Sequence, residues 1–245
     1  MDIQNEAIRI VEAGQAQGVT LRLLGGLAVL IHSPSATLPA LARSYADFDL
    51  ATNSRARAVE AVFAGLHYTP EQQFNLLQGN TRLLFHDPAS KRQVDVFVGV
   101  FEMCHKLPLT ERLALEPLTL PLAELLLTKL QIFQINEKDL RDVCALLLDH
   151  PLGAGDDETI NTARMAQLCA EDWGLWRTVT GNLDRTADFV ARLGLTPEQR
   201  STIQERAEGI RYALDAASKP MKWRMRAKIG DKVRWYELPE EVGRG

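Results

Sequence analysis

The chain has 245 residues, of which 46% are hydrophobic and 24% are charged, and its formal net charge is −4. This composition is typical of a soluble globular protein, and the negative charge excludes a general attraction of the whole chain to nucleic acid. The N-terminus lacks the pattern of a signal peptide, and no apolar run is long enough to span a bilayer. Three widely spaced cysteines favour buried thiols over disulfides. We therefore expect a cytoplasmic protein without a membrane partner.

The first third of the chain alternates between helix and strand patterns. We predict, in chain order, a helix over 3–17, a strand over 19–24, a helix from Gly25 to about Ser33, a loop over 33–44, a strand over 45–52 and a helix over 54–66 that is capped by Asn53 or Ser54. Such alternation indicates an α/β fold with a small mixed sheet.

The middle of the chain predicts a β-hairpin and then two helices. The hairpin covers 80–101 around the turn sequence "DPAS", and the helices cover 120–133, opened by Pro121, and 136–150, capped by Asn136. The segment 151–159 is rich in glycine and acidic residues and is predicted to be a linker. We accordingly divide the chain into a first domain over 1–150, a helical domain over 151–218 with a helix start at Thr196 and Pro197, and a tail over 219–245.

The tail contains "WRMRAKIGDKVRWYEL", in which apolar and basic residues alternate around Gly230 and Asp231. Alternation around a two-residue turn predicts a terminal β-hairpin. Two interpretations of the seven Lys or Arg residues between Lys219 and Arg234 stay open. They form either a solvated outer face or a basic ribbon that binds the phosphates of RNA.

Two consecutive glycines, Gly25 and Gly26, lie where the first strand meets the second helix. Glycine is a poor helix former, at a cost of about 1 kcal/mol relative to alanine. One interpretation is that the pair allows close packing of helix on strand. The other is that a phosphate approaches the backbone there, at the start of a helix.

Three aspartates lie in or beside predicted strands. Asp47 and Asp49 are two residues apart, which places both carboxylates on one face of a strand, and Asp95 interrupts an otherwise apolar strand. An isolated pair of this kind is usually a solvated strand end, but an unpaired carboxylate within an apolar strand is costly. Three carboxylates on adjacent strands are the hard oxygen ligands that Mg²⁺ prefers.

The order of these motifs resembles the pattern of the nucleotidyltransferase superfamily with the polymerase-β-like fold. That order is the glycine pair, then Asp47 and Asp49, and then Asp95. The similarity covers about residues 18–150 and is greatest to the minimal bacterial group that includes AbiEii-type toxins and lincosamide-type nucleotidyltransferases. Further matching positions are Arg43, Lys129 and, within "EKDLRDVCALL", Lys138, Asp139 and Asp142. The chain departs from the pattern in the long spacing between Gly26 and Asp47 and in Tyr45, where a small hydroxyl residue is common.

The resemblance implies transfer of a nucleoside monophosphate from an NTP to a hydroxyl group of an RNA end, a small molecule or a protein. By it, Asp47 and Asp49 hold the nucleotide-bound Mg²⁺, and Asp95 completes a second metal site and helps to deprotonate the acceptor. The implied nucleotide-binding residues are Gly25, Gly26, Arg43, Lys129 and Lys138. Lys138, Asp139 and Asp142 could also orient Lys129 or the base. The alternative is a catalytically silent module that binds nucleotide or RNA, such as one component of a toxin–antitoxin pair with an antitoxin protein as its partner.

Overall fold

The computed structural model describes residues 3–238 as an α/β protein with a small mixed sheet. Residues 1–2 of the predicted first domain and residues 239–245 of the predicted tail lie outside the described residues. The helices are α1 (Ile3–Ala16), α2 (Gly25–His32), α3 (Ala56–Gly65), α4 (Gln72–Gln78), α5 (Leu122–Leu130), α6 (Glu137–Asp149), α7 (Thr162–Glu171), α8 (Trp173–Val190), α9 (Pro197–Ala216) and α10 (Met221–Ile229). The strands are β1 (Arg22–Leu24), β2 (Phe48–Thr52), β3 (Thr69–Pro70), β4 (Arg82–His86), β5 (Gln93–Val98), β6 (Val100–Glu102), β7 (Lys106–Pro108), β8 (Leu152–Gly153) and β9 (Ile160–Asn161).

The main sheet has five strands in the order β1-β2-β5-β4-β3. Strands β2 and β5 are parallel, whereas the other neighbours are antiparallel. The predicted hairpin is confirmed, because β4 and β5 pair around the "DPAS" turn with His86 opposite Gln93. Strand β2 begins at Phe48 and not at residue 45, so Asp47 lies just before the strand.

The core is formed by apolar side chains of the central strands and of the helices packed against them. Phe48, Leu50, Val94 and Val96 are fully buried on β2 and β5, because both of these strands lie inside the sheet. Complete burial of such a side chain contributes about 1.5–3 kcal/mol. The same cluster of buried residues continues through α5 and α6 into α7, α8 and α9. The domain boundaries at 150 and 218 stay a prediction.

Helix starts follow the sequence in most places. The Asn136 side chain accepts a hydrogen bond from the Asp139 amide, and Thr196 forms a capping box with Gln199, so both predicted caps are confirmed. The predicted cap of α3 is wrong, because Arg55 is the N-cap residue and makes no side-chain capping bond. Within the described chain, no helix combines the length and the apolar composition that crossing a membrane would take.

The predicted terminal hairpin is wrong over the described part of the tail. Residues 221–229 form α10, and a short 3-10 helix follows at Gly230–Lys232. The residues of this segment, mainly Met, Arg, Lys and Ala, are good helix formers, whereas an isolated two-stranded hairpin is only marginally stable. Gly230 ends the helix with φ of +60°, so the glycine that suggested a hairpin turn acts as a helix stop.

Helix α10 is held by aromatic contacts with α8. The Trp223 ring lies 5.2 Å from the Trp176 ring, and the Trp223 indole donates to the carbonyl oxygen of Cys169. Further along the tail, the Trp235 ring lies 5.9 Å from that of Trp173. The described part of the tail is therefore fixed by tryptophan packing against α8.

Candidate functional site

Strand β1 runs directly into α2 through the glycine pair, and two side chains from elsewhere lie against this junction. Gly25 has φ of +71°, a conformation that favours glycine. A Cβ atom at Gly25 would overlap the carboxylate of Asp49, and one at Gly26 would overlap the guanidinium of Arg43. The glycines are therefore needed because two of the predicted site residues approach the backbone closely.

Asp49 and Asp95 lie directly opposite each other on the parallel strands β2 and β5. Asp95 is buried and Asp49 is partly buried. Burial, followed by the negative charge of Asp95, raises the pKa of Asp49 from 3.8 to about 6. The fold therefore brings these two predicted carboxylates together on adjacent strands, where the charge of Asp49 is costly.

Asp47 occupies a different position from the other two aspartates. It is exposed and lies at the entrance to β2, and its charge also contributes to the raised pKa of Asp49. The predicted trio thus consists of two carboxylates in register and a third at the edge of the same site.

Two polar residues that the sequence reasoning missed hold Asp95 in place. The Arg82 guanidinium lies 2.5 Å from Asp95 Oδ1, and the Gln93 amide donates to Oδ2 at 2.8 Å. The charge of Arg82 also lowers the pKa of Asp49. The hairpin register pairs Leu84 with Asp95, which places Arg82 diagonally across from Asp95. That register was available from the position of the turn and could have revealed the contact.

A network of opposite charges lies beside the glycine pair. Arg43 binds Asp142 through two hydrogen bonds of 2.8 Å, and Lys129 Nζ lies 2.9 Å from Asp139 and 3.0 Å from Asp142. Burial lowers the pKa of Lys129, but the charges of Asp142 and Asp139 outweigh this effect and the pKa is raised. Lys129 therefore stays charged, and its charge lowers the pKa of Asp49.

The remaining matched positions differ in their surroundings. The guanidinium carbon of Arg43 lies 4.3 Å from the centre of the Tyr45 ring, and the buried Tyr45 hydroxyl has no hydrogen-bond partner within residues 3–238. Lys138 lies exposed in the first turn of α6, next to the buried Asp139. Lys138 is thus at the margin of the charge network that Asp139 joins.

The carboxylates do not form a ready-made metal cage. Within the described part of the chain, no three His, Cys, Asp or Glu side chains converge closely enough to hold a metal ion. The reason is visible in the geometry, since Asp95 is turned toward Arg82 and Asp47 lies outside the strand. The predicted Mg²⁺ site stays a prediction that rests chiefly on Asp49 and Asp95. A comparison with models of protein families found none that matches this chain, and a search of curated proteins found no significant match.

Proposed function

We propose that the protein is a metal-dependent nucleotidyltransferase that moves a nucleoside monophosphate from an NTP to a hydroxyl acceptor. The observation that carries this proposal is the register of Asp49 and Asp95 on parallel strands, with Asp49 against the Gly25 backbone. A small mixed sheet is also what the resemblance in the sequence leads one to expect. The acceptor class remains open among RNA ends, small molecules and proteins.

The start of α2 is a suitable place for the triphosphate. The N-cap residue, Leu24, offers no side-chain cap, so the first amide groups of the helix are available to another acceptor. The Arg43 guanidinium lies against Gly26 at the same helix end. An amide-rich helix terminus and an adjacent arginine both favour a phosphate.

Asp49 and Asp95 fit a magnesium ion in charge and in ligand type. The raised pKa of Asp49 reflects repulsion and burial that a bound cation would relieve. When bound, Mg²⁺ would neutralise phosphate charge and lower the pKa of the acceptor hydroxyl. In this proposal Asp47, at the entrance to β2, adds a third carboxylate to this pair.

The neighbouring residues position these groups. Arg82 and Gln93 fix the Asp95 carboxylate opposite Asp49. Asp142 holds both Arg43 and Lys129, which sets two cations beside the glycine pair. We assign Asp142 a positioning role, and Arg43 the direct phosphate contact.

A second candidate is a silent module that binds nucleotide without transferring it. The observation that favours it is the ion pair between Asp95 and Arg82, which occupies a carboxylate that catalysis would need for metal. An antitoxin protein is then a possible partner. The two candidates differ in NTP consumption and not in NTP binding.

The test is incubation of the protein with each labelled NTP, Mg²⁺ and total RNA, followed by separation of free nucleotide, RNA and protein. Transfer of label, lost in Asp49→Asn and on chelation of the metal, would support the enzyme. The matched control is Asp188→Asn, which removes an exposed carboxylate on α8. Binding of NTP with no transfer of label to RNA or protein and no release of pyrophosphate would support the silent module.

A further inference from the structure

One face of α8 carries two arginines with a glycine between them. Arg177, Gly181 and Arg185 are spaced four residues apart, so they follow one another along the same side of the helix. They border a cavity of about 170 Å³. The other residues that line this cavity are Phe133, Thr178, Asn182 and Trp235. We call this feature the arginine notch.

The glycine between the two arginines has no steric cause in the protein itself. Gly181 lies inside α8, where glycine is a poor helix former, and its φ is not positive. A Cβ atom there would approach nothing closer than Arg177 Nη1 at 3.4 Å, which is an ordinary contact. Alanine would therefore fit, and the effect of glycine is to leave more space beside the Arg177 guanidinium.

The two arginines retain unused hydrogen-bond donors. Arg177 donates to Asp231 through Nε and Nη2, and Arg185 donates through Nη1 to the Phe133 carbonyl oxygen and to Asn182. Among residues 3–238, no atom accepts a hydrogen bond from Arg177 Nη1 or from Arg185 Nε and Nη2. Three nitrogen atoms of two cations are thus left for a ligand.

An anionic group already occupies part of this surface. The Asp231 carboxylate, from the segment that follows α10, lies 2.8 Å from Arg177 Nη2. Its side chain is 51% exposed and that of Arg177 is 38% exposed, and ion pairs exposed to this extent contribute little stability. An external anion can therefore compete with Asp231 for the guanidinium.

We propose that the arginine notch binds a phosphate group of a ligand. The planar guanidinium donates two parallel hydrogen bonds to phosphate oxygens, and two such groups flank the cavity. The cavity is smaller than the roughly 300 Å³ at which sites for whole small molecules begin, so it receives one charged group of a larger ligand. The rings of Phe133 and Trp235 also line the cavity, and each lies beside one of the two guanidinium groups. The notch shares no lining residue with the site at Gly25, and the proposal does not depend on the proposed function.

Calorimetric titration with inorganic pyrophosphate tests the proposal. EDTA in the buffer removes any binding that depends on a metal ion. Arg185→Gln should weaken binding about tenfold or more, because a charged hydrogen-bond donor is lost. Gly181→Ala should also weaken binding, yet raise the melting temperature because alanine favours helix. Asp231→Asn should tighten binding several-fold, because the internal competitor is neutralised.

Two matched controls separate the notch from general effects. Arg192→Gln removes an exposed arginine just beyond α8, and Gly65→Ala makes the same substitution at the last residue of α3, where a Cβ meets nothing within 4 Å. Both should leave pyrophosphate binding unchanged. A dinucleotide with and without a 5′-phosphate then distinguishes an oligonucleotide end from a free phosphate compound as the source of the group.

The proposal is overturned if the wild-type protein does not bind pyrophosphate at millimolar concentration, if Arg192→Gln weakens binding as much as Arg185→Gln, or if Gly181→Ala leaves binding unchanged. Asp49→Asn should bind pyrophosphate normally in EDTA. Absence of NTP transfer by the wild-type protein with intact pyrophosphate binding would therefore count against the proposed function only, and NTP transfer without pyrophosphate binding would count against the notch only.

Discussion

Replacement of Asp49 by asparagine should stabilise the metal-free protein at neutral pH. The pKa of Asp49 is raised from 3.8 to about 6, first by burial and then by the charge of Asp95. A carboxyl group whose pKa is higher in the folded state than in the unfolded state opposes folding when it is ionised. Asp49→Asn keeps the shape of the side chain and removes this charge.

The size of the effect follows from the pKa. Each pKa unit corresponds to about 1.4 kcal/mol, so the charge of Asp49 costs at most about 3 kcal/mol at pH 7. Asp49 is only partly buried, and the asparagine amide also loses hydration, so we expect a net gain of about 1–2 kcal/mol. For a chain of this length, that gain raises the melting temperature by about 2–8 °C.

The sign of the pH dependence is specific to a raised carboxyl pKa. The cost is fully present above the folded pKa of about 6 and is lost as the pH falls toward 3.8, since the folded state binds the proton first. Melting followed by far-UV circular dichroism in EDTA should therefore show a clear advantage of Asp49→Asn at about pH 7.5 that shrinks at about pH 4.5. Asp188→Asn is the control.

Magnesium should reverse the order of stability, so that the wild-type protein melts at a higher temperature than Asp49→Asn. A ligand that binds only the folded state stabilises it by mass action, and the wild-type protein gains more because it has both carboxylates. The reasoning would be refuted by a variant that is less stable than wild type in EDTA at neutral pH, or by an advantage of equal size at both pH values.

Three further substitutions test the surroundings of Asp49. Asp142→Asn leaves Arg43 and Lys129 without a shared partner and should cost about 3–5 kcal/mol in chemical denaturation; a loss below about 1 kcal/mol would contradict the network. Arg82→Gln removes a charge that lowers the pKa of Asp49, so the pKa of Asp49 should rise. When Asp49→Asn is compared with wild-type Asp49 in an Arg82→Gln background, its stability advantage should therefore fade at a higher pH. An unchanged pH would be evidence against this coupling. Gly25→Ala should destabilise the protein and abolish NTP binding by calorimetry, because of its positive φ and the overlap with Asp49; normal affinity would exclude the proposed phosphate position.

The central part of the fold and of the site could be predicted because it depends on local patterns. The glycine pair, the strand at Asp49 and the "DPAS" hairpin all have short-range signals, and the hairpin turn sets the register that leads to Asp95. The contacts of Lys129 with Asp139 and Asp142 join neighbouring helices, and in the sequence only the family resemblance hinted at them.

The tail could not be predicted in the same way. Alternation of apolar and basic residues over 223–229 fits a strand, but the same residues place Trp223, Arg226 and Ala227 on one side of a helix. The choice between them is made by contacts with α8, where the guanidinium carbon of Arg226 lies 4.3 Å from the centre of the Trp173 ring. Such tertiary contacts are not visible in a local pattern.

The aromatic contacts between the tail and α8 also determine what intrinsic fluorescence reports. The chain has four tryptophans, Trp173, Trp176, Trp223 and Trp235, and each has another tryptophan ring within 6.5 Å. None lies in the sheet or in the helices around Asp49. Tryptophan emission will therefore follow separation of the tail from α8, while the sheet unfolds without an indole signal of its own. If that separation precedes global unfolding, emission will change before far-UV circular dichroism, and the interval between the two transitions measures how independently the tail detaches.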